Sequence, residues 1–264
     1  MTDNDALLQA ILDDPDEDAP RLGYADWLEE HGEPARAQFI RLQLARAALE
    51  DHDPRAQELQ QRCREMTAEP GTAQRWTPKL PRGMGYPEFH RGFVEKVSCR
   101  ITDFLKGAER LVAVIPLRHL NVGETSPTRQ DLQALLASPH LAWLRELALY
   151  GNHLDDSATE AIAASPHLRG LEELDLWDNR IGPAGVRALV GSPNLAGLRG
   201  LSLACNPLGD EGARVLAASP RPGRFKFLSL GDCGIGVEGA AALAASPHLV
   251  GLRTLDLGSS AGGP

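Results

Sequence analysis

The sequence predicts an α/β protein: a curved solenoid with a parallel sheet on its concave face and helices outside, preceded by a small all-α domain. Three observations carry this. Ser-Pro recurs at Ser138, Ser165, Ser192, Ser219 and Ser246, each 27 residues after the last. Behind each Ser-Pro comes the same apolar spacing, in which a two-residue alternation gives way to a helical one. The chain is 42% hydrophobic but only 5% aromatic. Its core must therefore be built from Leu, Ala, Val and Ile, which suits stacked repeats better than one globular core.

Charge and composition narrow the function. The 264 residues carry a net charge of −9, which argues against a general phosphate-binding surface, so nucleic acid is not expected as a partner. The N-terminus has no basic region followed by an apolar run, and no stretch approaches the ~18 apolar residues of a membrane span. Cys63, Cys99, Cys205 and Cys233 form neither a CxxC pair nor a disulfide-rich pattern; a reducing, cytoplasmic setting is expected.

Residues 1–66 read as a helical domain. Leu7, Leu8, Ile11 and Leu12 make one stripe, and Leu22, Ala25 and Leu28 a second. Ile40, Leu44 and Ala47 make a third, and Leu59, Cys63 and Met66 a fourth. Pro20 and Pro34 suit helix starts and Gly32 a helix stop. The stretch Asp18-Ala-Pro-Arg-Leu-Gly-Tyr-Ala-Asp-Trp-Leu-Glu-Glu-His-Gly32, with Pro34-Ala-Arg-Ala-Gln-Phe-Ile-Arg-Leu-Gln43 behind it, resembles a bacterial repeat-companion domain. The resemblance implies a position ahead of leucine-rich or other repeats and no activity. Gly23 departs from it, since the family tends to place a larger aliphatic there, so looser local packing is expected.

Residues 67–92 form a connector rich in Pro and Gly that also holds Trp76, Tyr86 and Phe89. A free linker has no use for such aromatics. The segment is expected to pack over the open N-terminal end of the solenoid as a cap.

Residues 93–264 are the solenoid, with about seven strands. Leu144, Leu147, Leu149, Asn152 and Leu154 are repeated as Leu171, Leu174, Leu176, Asn179 and Ile181. They return as Leu198, Leu201, Leu203, Asn206 and Leu208, then as Phe225, Leu228, Leu230, Cys233 and Ile235. A partial copy has Leu252, Leu255 and Leu257, with Ser260 at the Asn position. This LxxLxLxx(N/C)xL pattern, in register over roughly residues 111–260, resembles the leucine-rich-repeat family, ribonuclease-inhibitor-like subtype. A worn copy upstream keeps Leu117, Leu120 and Val122 but has Thr125 and Pro127 in place of Asn and Leu. Val94, Val97 and Cys99 show the strand spacing once more, so a strand is expected there with Cys99 facing the core.

Spacing supplies the physics. Leu147 and Leu149 alternate with Glu146, Ala148 and Tyr150, hence a strand with one buried face. Gly185–Val190 carries apolar residues at helical spacing. One strand and one helix per unit force the strands to run parallel. Strands pack about 4.8 Å apart and helices about 8–10 Å, so the stack curves with helices outside. Asn152, Asn179 and Asn206 are expected to form a side-chain ladder satisfying backbone groups in the turns.

One motif imitates a cofactor site. Gly234-Ile-Gly-Val-Glu-Gly239 is a GxGxxG between a strand and a helix, with Asp256 beyond the next strand. Gly236 and Gly239 fall in register with Gly182 and Gly185, and with Gly209 and Gly212; Asp256 aligns with Asp175. They belong to the repeat, and no cofactor is expected. His140, His167 and His248 all hold the third place of Ser-Pro-His-Leu, a turn preference and not a metal site. The acidic run Asp13, Asp14, Asp16, Glu17 and Asp18 lacks Gly-centred calcium-loop spacing and is expected to cap the second helix. GxSxG, HExxH and P-loop motifs are absent, and no enzyme is expected.

Two surface features remain. Alternation assigns to the concave face His119, Asn121 and Gly123, then Glu146, Ala148 and Tyr150, then Glu173, Asp175 and Trp177. Gly200, Ser202, Ala204, Phe227, Ser229, Gly231, Thr254, Asp256 and Gly258 continue it. Tyr150 and Trp177 stand on adjacent rungs beside Glu146, Glu173 and Asp175, and with Phe227 they form the candidate binding site, since Trp and Tyr dominate binding hot spots. Just before each strand lies a ladder of Arg118, Arg145, Arg199, Lys226 and Arg253, broken by Glu172 and expected to be solvated and paired with neighbouring carboxylates. The expected function is recognition of an as yet unidentified protein. The alternatives are an enzyme centred on Tyr24, Asp26, His31 and His90, whose spacing matches no catalytic set, and a structural or regulatory cap. The last strand is followed by Gly258-Ser-Ser-Ala-Gly-Gly-Pro264 without a further helix. Its uncapped edge is expected to pair with another chain, or the sequence to be a truncated product.

Overall fold

The computed structural model describes residues 2–50, 53–219 and 225–258; Ser260 lies outside them. Contacts divide the chain into two compact units, Met1–Ser98 with Gly107–Arg118, and Cys99–Lys106 with His119–Pro264.

The first unit opens with α1 (Asp3–Asp13), α2 (Ala19–Glu30), α3 (Pro34–Ala47), α4 (Pro54–Ala68) and the short α5 (Thr72–Trp76). A reciprocal Thr2/Asp5 capping box starts α1. Proline lies in the first turn of α2, α3 and α4, where no N–H is needed. Gly32, at φ +85°, ends α2. Ile11, Ala25, Leu28, Ala37, Ile40 and Leu44 form the core, with Leu8, Tyr24 and Trp27 packed against it.

Two of the expected stripes are corrected. Leu22 is 43% exposed and its neighbour Arg21 is fully buried; Ala47 is exposed as well. The acidic run does not cap α2, because no side chain bonds its first N–H groups. Asp18 instead pairs with Arg91 and Asp16 with Arg118.

Strands β1 (Gly85–His90) and β2 (Phe93–Ser98) form an antiparallel hairpin. Its tip, Arg91 at φ +47° and Gly92 at φ +89°, is a two-residue turn with both residues left-handed. Helices α2 and α3 hold that tip. Arg21 donates from Nη1 to the Arg91 carbonyl and from Nη2 to the Pro15 carbonyl, and it pairs with buried Glu95 at 2.6 Å. Arg36 donates to the Gly92 carbonyl, and the Gly92 N–H donates to Gln43 Oε1. The Arg36 guanidinium lies 5.1–5.5 Å from the rings of Trp76, Phe89, Phe93 and Phe39, and burial pushes its pKa down to about 10. Trp76 and Phe89 pack on Phe39 of α3. Tyr86 does not; it stands 83% exposed.

Helix α6 (Ile101–Val112), which the repeat pattern did not foresee, divides between the units. In the second unit β3 (His119–Asn121), β4 (Glu146–Ala148), β5 (Glu173–Asp175), β6 (Gly200–Ser202), β7 (Phe227–Ser229) and β8 (Thr254–Asp256) pair in parallel in sequence order. Every partner is 27 residues on, as Leu147 with Leu174. Helices α7 (Arg129–Leu136), α8 (Asp156–Ala164), α9 (Pro183–Gly191), α10 (Gly209–Ala218) and α11 (Val237–Ala244) alternate with the strands, each packing on the next from α7 to α11. Leu120, Leu147, Leu174, Leu201 and Leu228 are 0–1% exposed, and each such burial contributes about 2–3 kcal/mol.

Polar links run from repeat to repeat. Asn179 Oδ1 accepts the N–H groups of Asn152 and Leu154, while its Nδ2 donates to the carbonyls of Leu149, Leu176 and Trp177. Asn152 and Asn206 are held in the same way; at the fourth rung the Cys233 thiol donates to the Leu203 carbonyl. The Ser-Pro serines have an equally specific use. Ser165, Ser192 and Ser246 donate their hydroxyls to the carbonyls of Leu136, Ala163 and Ala217, at the C-terminal ends of the preceding helices.

Candidate functional site

The pairing register sets the side-chain directions. Residues flanking the buried leucines at 147, 174, 201 and 228 point away from the helices, so Glu146, Glu173, Asp175 and Phe227 lie on the face the alternation assigns them. Tyr150 and Trp177 follow two residues after β4 and β5, in the turn. Trp177 is 40% and Phe227 42% exposed, while Tyr150 is half-buried.

The Tyr150 ring is held by two groups on the neighbouring rung. Tyr150 accepts a hydrogen bond at its hydroxyl from Asn121 Nδ2, 3.1 Å away. Its ring covers Gly123, where a Cβ would lie 2.5 Å from it. Trp177 donates its backbone N–H to Asp175 Oδ1, and its ring meets Tyr150 at a centroid distance of 6.2 Å and 56°. The period-two pattern could have pointed to Gly123, the one small residue beside Tyr150 on the neighbouring rung. Next along the face, Glu146 pairs with His119 at 2.9 Å. Glu173 leans over Gly200, its Cγ 3.1 Å from where a Cβ would stand. The face therefore joins a fixed aromatic pair, an exposed phenyl ring and several carboxylates.

The basic ladder behaves differently from rung to rung. Glu172, its one break, lies 3.7 Å from Arg145 and 3.4 Å from Arg199 and pairs with both. Arg118 is not solvated as expected; it is 2% exposed and paired with Asp16.

The structure does not bring Tyr24, Asp26, His31 and His90 together as a catalytic set. Tyr24 stacks on Trp27, and burial raises its pKa. Asp26 pairs with Arg41 at 2.7 Å. His31 stacks on Trp27 and donates from Nδ1 to that residue's carbonyl. His90 lies 3.9 Å from Glu88.

The GxGxxG has no room for a phosphate. Asp210 Oδ1 accepts the N–H groups of Gly236 and Gly239 at 2.7 and 2.9 Å, so the start of α11 already holds an anion. Asp156 does the same for Gly182 and Gly185. Among the described residues no group of three or more His, Cys, Asp and Glu is placed to hold a metal ion, and no helix is long and apolar enough to cross a membrane. Cys99 is half-buried, and burial with nearby Asp103 pushes its thiol up to about 12.

Comparison with known proteins agrees with the register. Residues 167–190, 198–217 and 225–244 match the family model described as Leucine Rich repeat, so three successive repeats of the second unit are leucine-rich repeats. None of the curated proteins matches the chain. Among solved structures it is similar to the tropomodulin C-terminal domain of Caenorhabditis elegans, with 12% identity and TM-score 0.40 over 50% of this chain and 83% of that one. It is also similar to the actin-binding site 2 domain of leiomodin-1, with 21% identity and TM-score 0.37 over 51% and 80%. An internalin of Listeria monocytogenes gives 16% identity and TM-score 0.26 over 54% and 48%.

Proposed function

We propose that the chain is a non-catalytic recognition scaffold that binds a partner protein through the concave sheet face, with a repeat-companion domain ahead of ribonuclease-inhibitor-like repeats. Leucine-rich-repeat domains generally act through such faces. One observation carries the reading: the indole of Trp177 is 40% exposed although its backbone and its neighbour Tyr150 are fixed by hydrogen bonds. An exposed aromatic with few rotatable bonds, packed on a fixed neighbour, binds at little entropic cost. The 27-residue unit with a full helix supports the subtype, and the hairpin-holding Arg21, Arg36 and Gln43 give the companion-like stretch a structural role. The free cysteines suit a reducing cytoplasm.

The test is affinity capture with the intact chain and with a Tyr150→Ala/Trp177→Ala variant. A partner held by this face binds the variant about thirtyfold more weakly or worse. Partners retained equally by both proteins overturn the reading.

A further inference from the structure

We infer that the occupant of the concave face is an extended protein segment bearing lysine or arginine. This rests on the recognition reading above and adds the partner's chemistry. The charged side chains assigned to the face are Glu146, Glu173, Asp175 and Asp256, with His119 beside Glu146 and no lysine or arginine. The repeat does not demand these acids. Gly200, Phe227 and Thr254 occupy the rungs equivalent to Glu146 and Glu173, while Ala148, Ser202 and Ser229 occupy those equivalent to Asp175 and Asp256. Glu146 and Glu173 stand where Gly, Phe and Thr also serve; Asp175 and Asp256 accept the backbone N–H two residues on, as neutral Asn121 does at its rung, so the turn uses their oxygen but not their charge.

The aromatic groups point to the same partner. Asp175 Oδ1 accepts the Trp177 backbone N–H, which sets a carboxylate at the base of an exposed indole. An indole flanked by carboxylates suits a cation, which gains from the ring quadrupole and from charge-assisted hydrogen bonds together. Glu173 leans over Gly200 between its own rung and that of Phe227, whose 42% exposed ring can cover an aliphatic stem. Strands β4 to β7 are bonded on both sides, so the segment is read by side chains and not by strand addition. Acidic segments and phosphate backbones are disfavoured by the same carboxylates.

The experiment pans a random-peptide phage library on the full chain, with the Trp177→Ala chain as counter-target and thermal melts confirming that each variant folds. Enriched peptides should carry net positive charge and bind about thirtyfold more weakly to Trp177→Ala. They should bind about tenfold more weakly to Glu173→Lys/Asp175→Lys and weaken as salt rises. Neutral or acidic peptides that still depend on Trp177 overturn the inference and leave the recognition reading standing. Peptides indifferent to Trp177, or no enrichment at all, overturn both.

Discussion

The guanidinium of Arg36 donates to the carbonyl of Gly92, 56 residues away, at 2.5 Å from inside a box of four aromatic rings. This bond fixes a left-handed turn whose glycine has no tolerance. A Cβ at Gly92 would lie 2.7–2.9 Å from the Cγ1, Cα and Cβ of Ile40, at a φ of +89°. Gly92→Ala should cost about 2–4 kcal/mol, from the left-handed penalty and overpacking combined. Urea melts measure this; a loss below about 0.5 kcal/mol would mean that the tip does not dock on α3.

The contrast between core and face is tested in one repeat. Leu174 is 1% exposed, and Leu174→Ala should cost about 2–5 kcal/mol. Trp177→Ala should stay within about 0.5 kcal/mol, as exposed substitutions do. Equal drops in melting temperature would place the indole in the core and move the strand register by one residue.

The glycines opposite Asp210 make a negative prediction. Calorimetry should find no saturable binding of nicotinamide or flavin nucleotides, because a carboxylate already fills the helix terminus. Gly239→Ala should destabilise by about 1–3 kcal/mol, since its Cβ would meet Asp210 Oδ1 at 2.5 Å. Stoichiometric nucleotide binding that is lost on Gly236→Ala is the contrary result.

Buried thiols set an alkaline limit. Burial raises Cys233 from about 9 to about 11 and Cys99 to about 12. Above pH 9 the unfolded chain releases these protons while the folded one keeps them, so stability should fall as pH rises from 9 towards 11. Chemical denaturation at pH 8 and pH 10 checks the sign. A Cys99→Ala/Cys233→Ala variant should flatten the slope.

Much of the second unit was legible because its contacts are periodic. Leu147, Leu174, Leu201 and Leu228 meet at a constant offset, so one repeat's spacing foretells the ladder. Asn179 was readable for the same reason. In the first unit the decisive contacts are not periodic. Arg21 and Arg36 stand on helix faces where an arginine reads as solvated, and their partners lie 70 and 56 residues away. A stripe rule that counts only apolar residues puts Leu22 inside and Arg21 outside, the reverse of what Glu95 and two backbone carbonyls bring about. The locking of the site was half legible: the exposed aromatics followed from alternation, but Asn121 became relevant only through its reach to the Tyr150 hydroxyl.

The serine hydroxyls that reach back to Leu136, Ala163 and Ala217 bear on how such a chain can change in length. Each repeat finishes the helix of its predecessor and leaves its own helix to be finished by its successor. A duplication or loss of 27 residues cut at any phase rejoins every donor to an equivalent acceptor, and the array closes up unharmed. An insertion of a few residues within the unit leaves a helix end open and shifts a leucine out of line. The architecture of this half of the molecule therefore accepts a change of length in whole modules and resists one of a few residues.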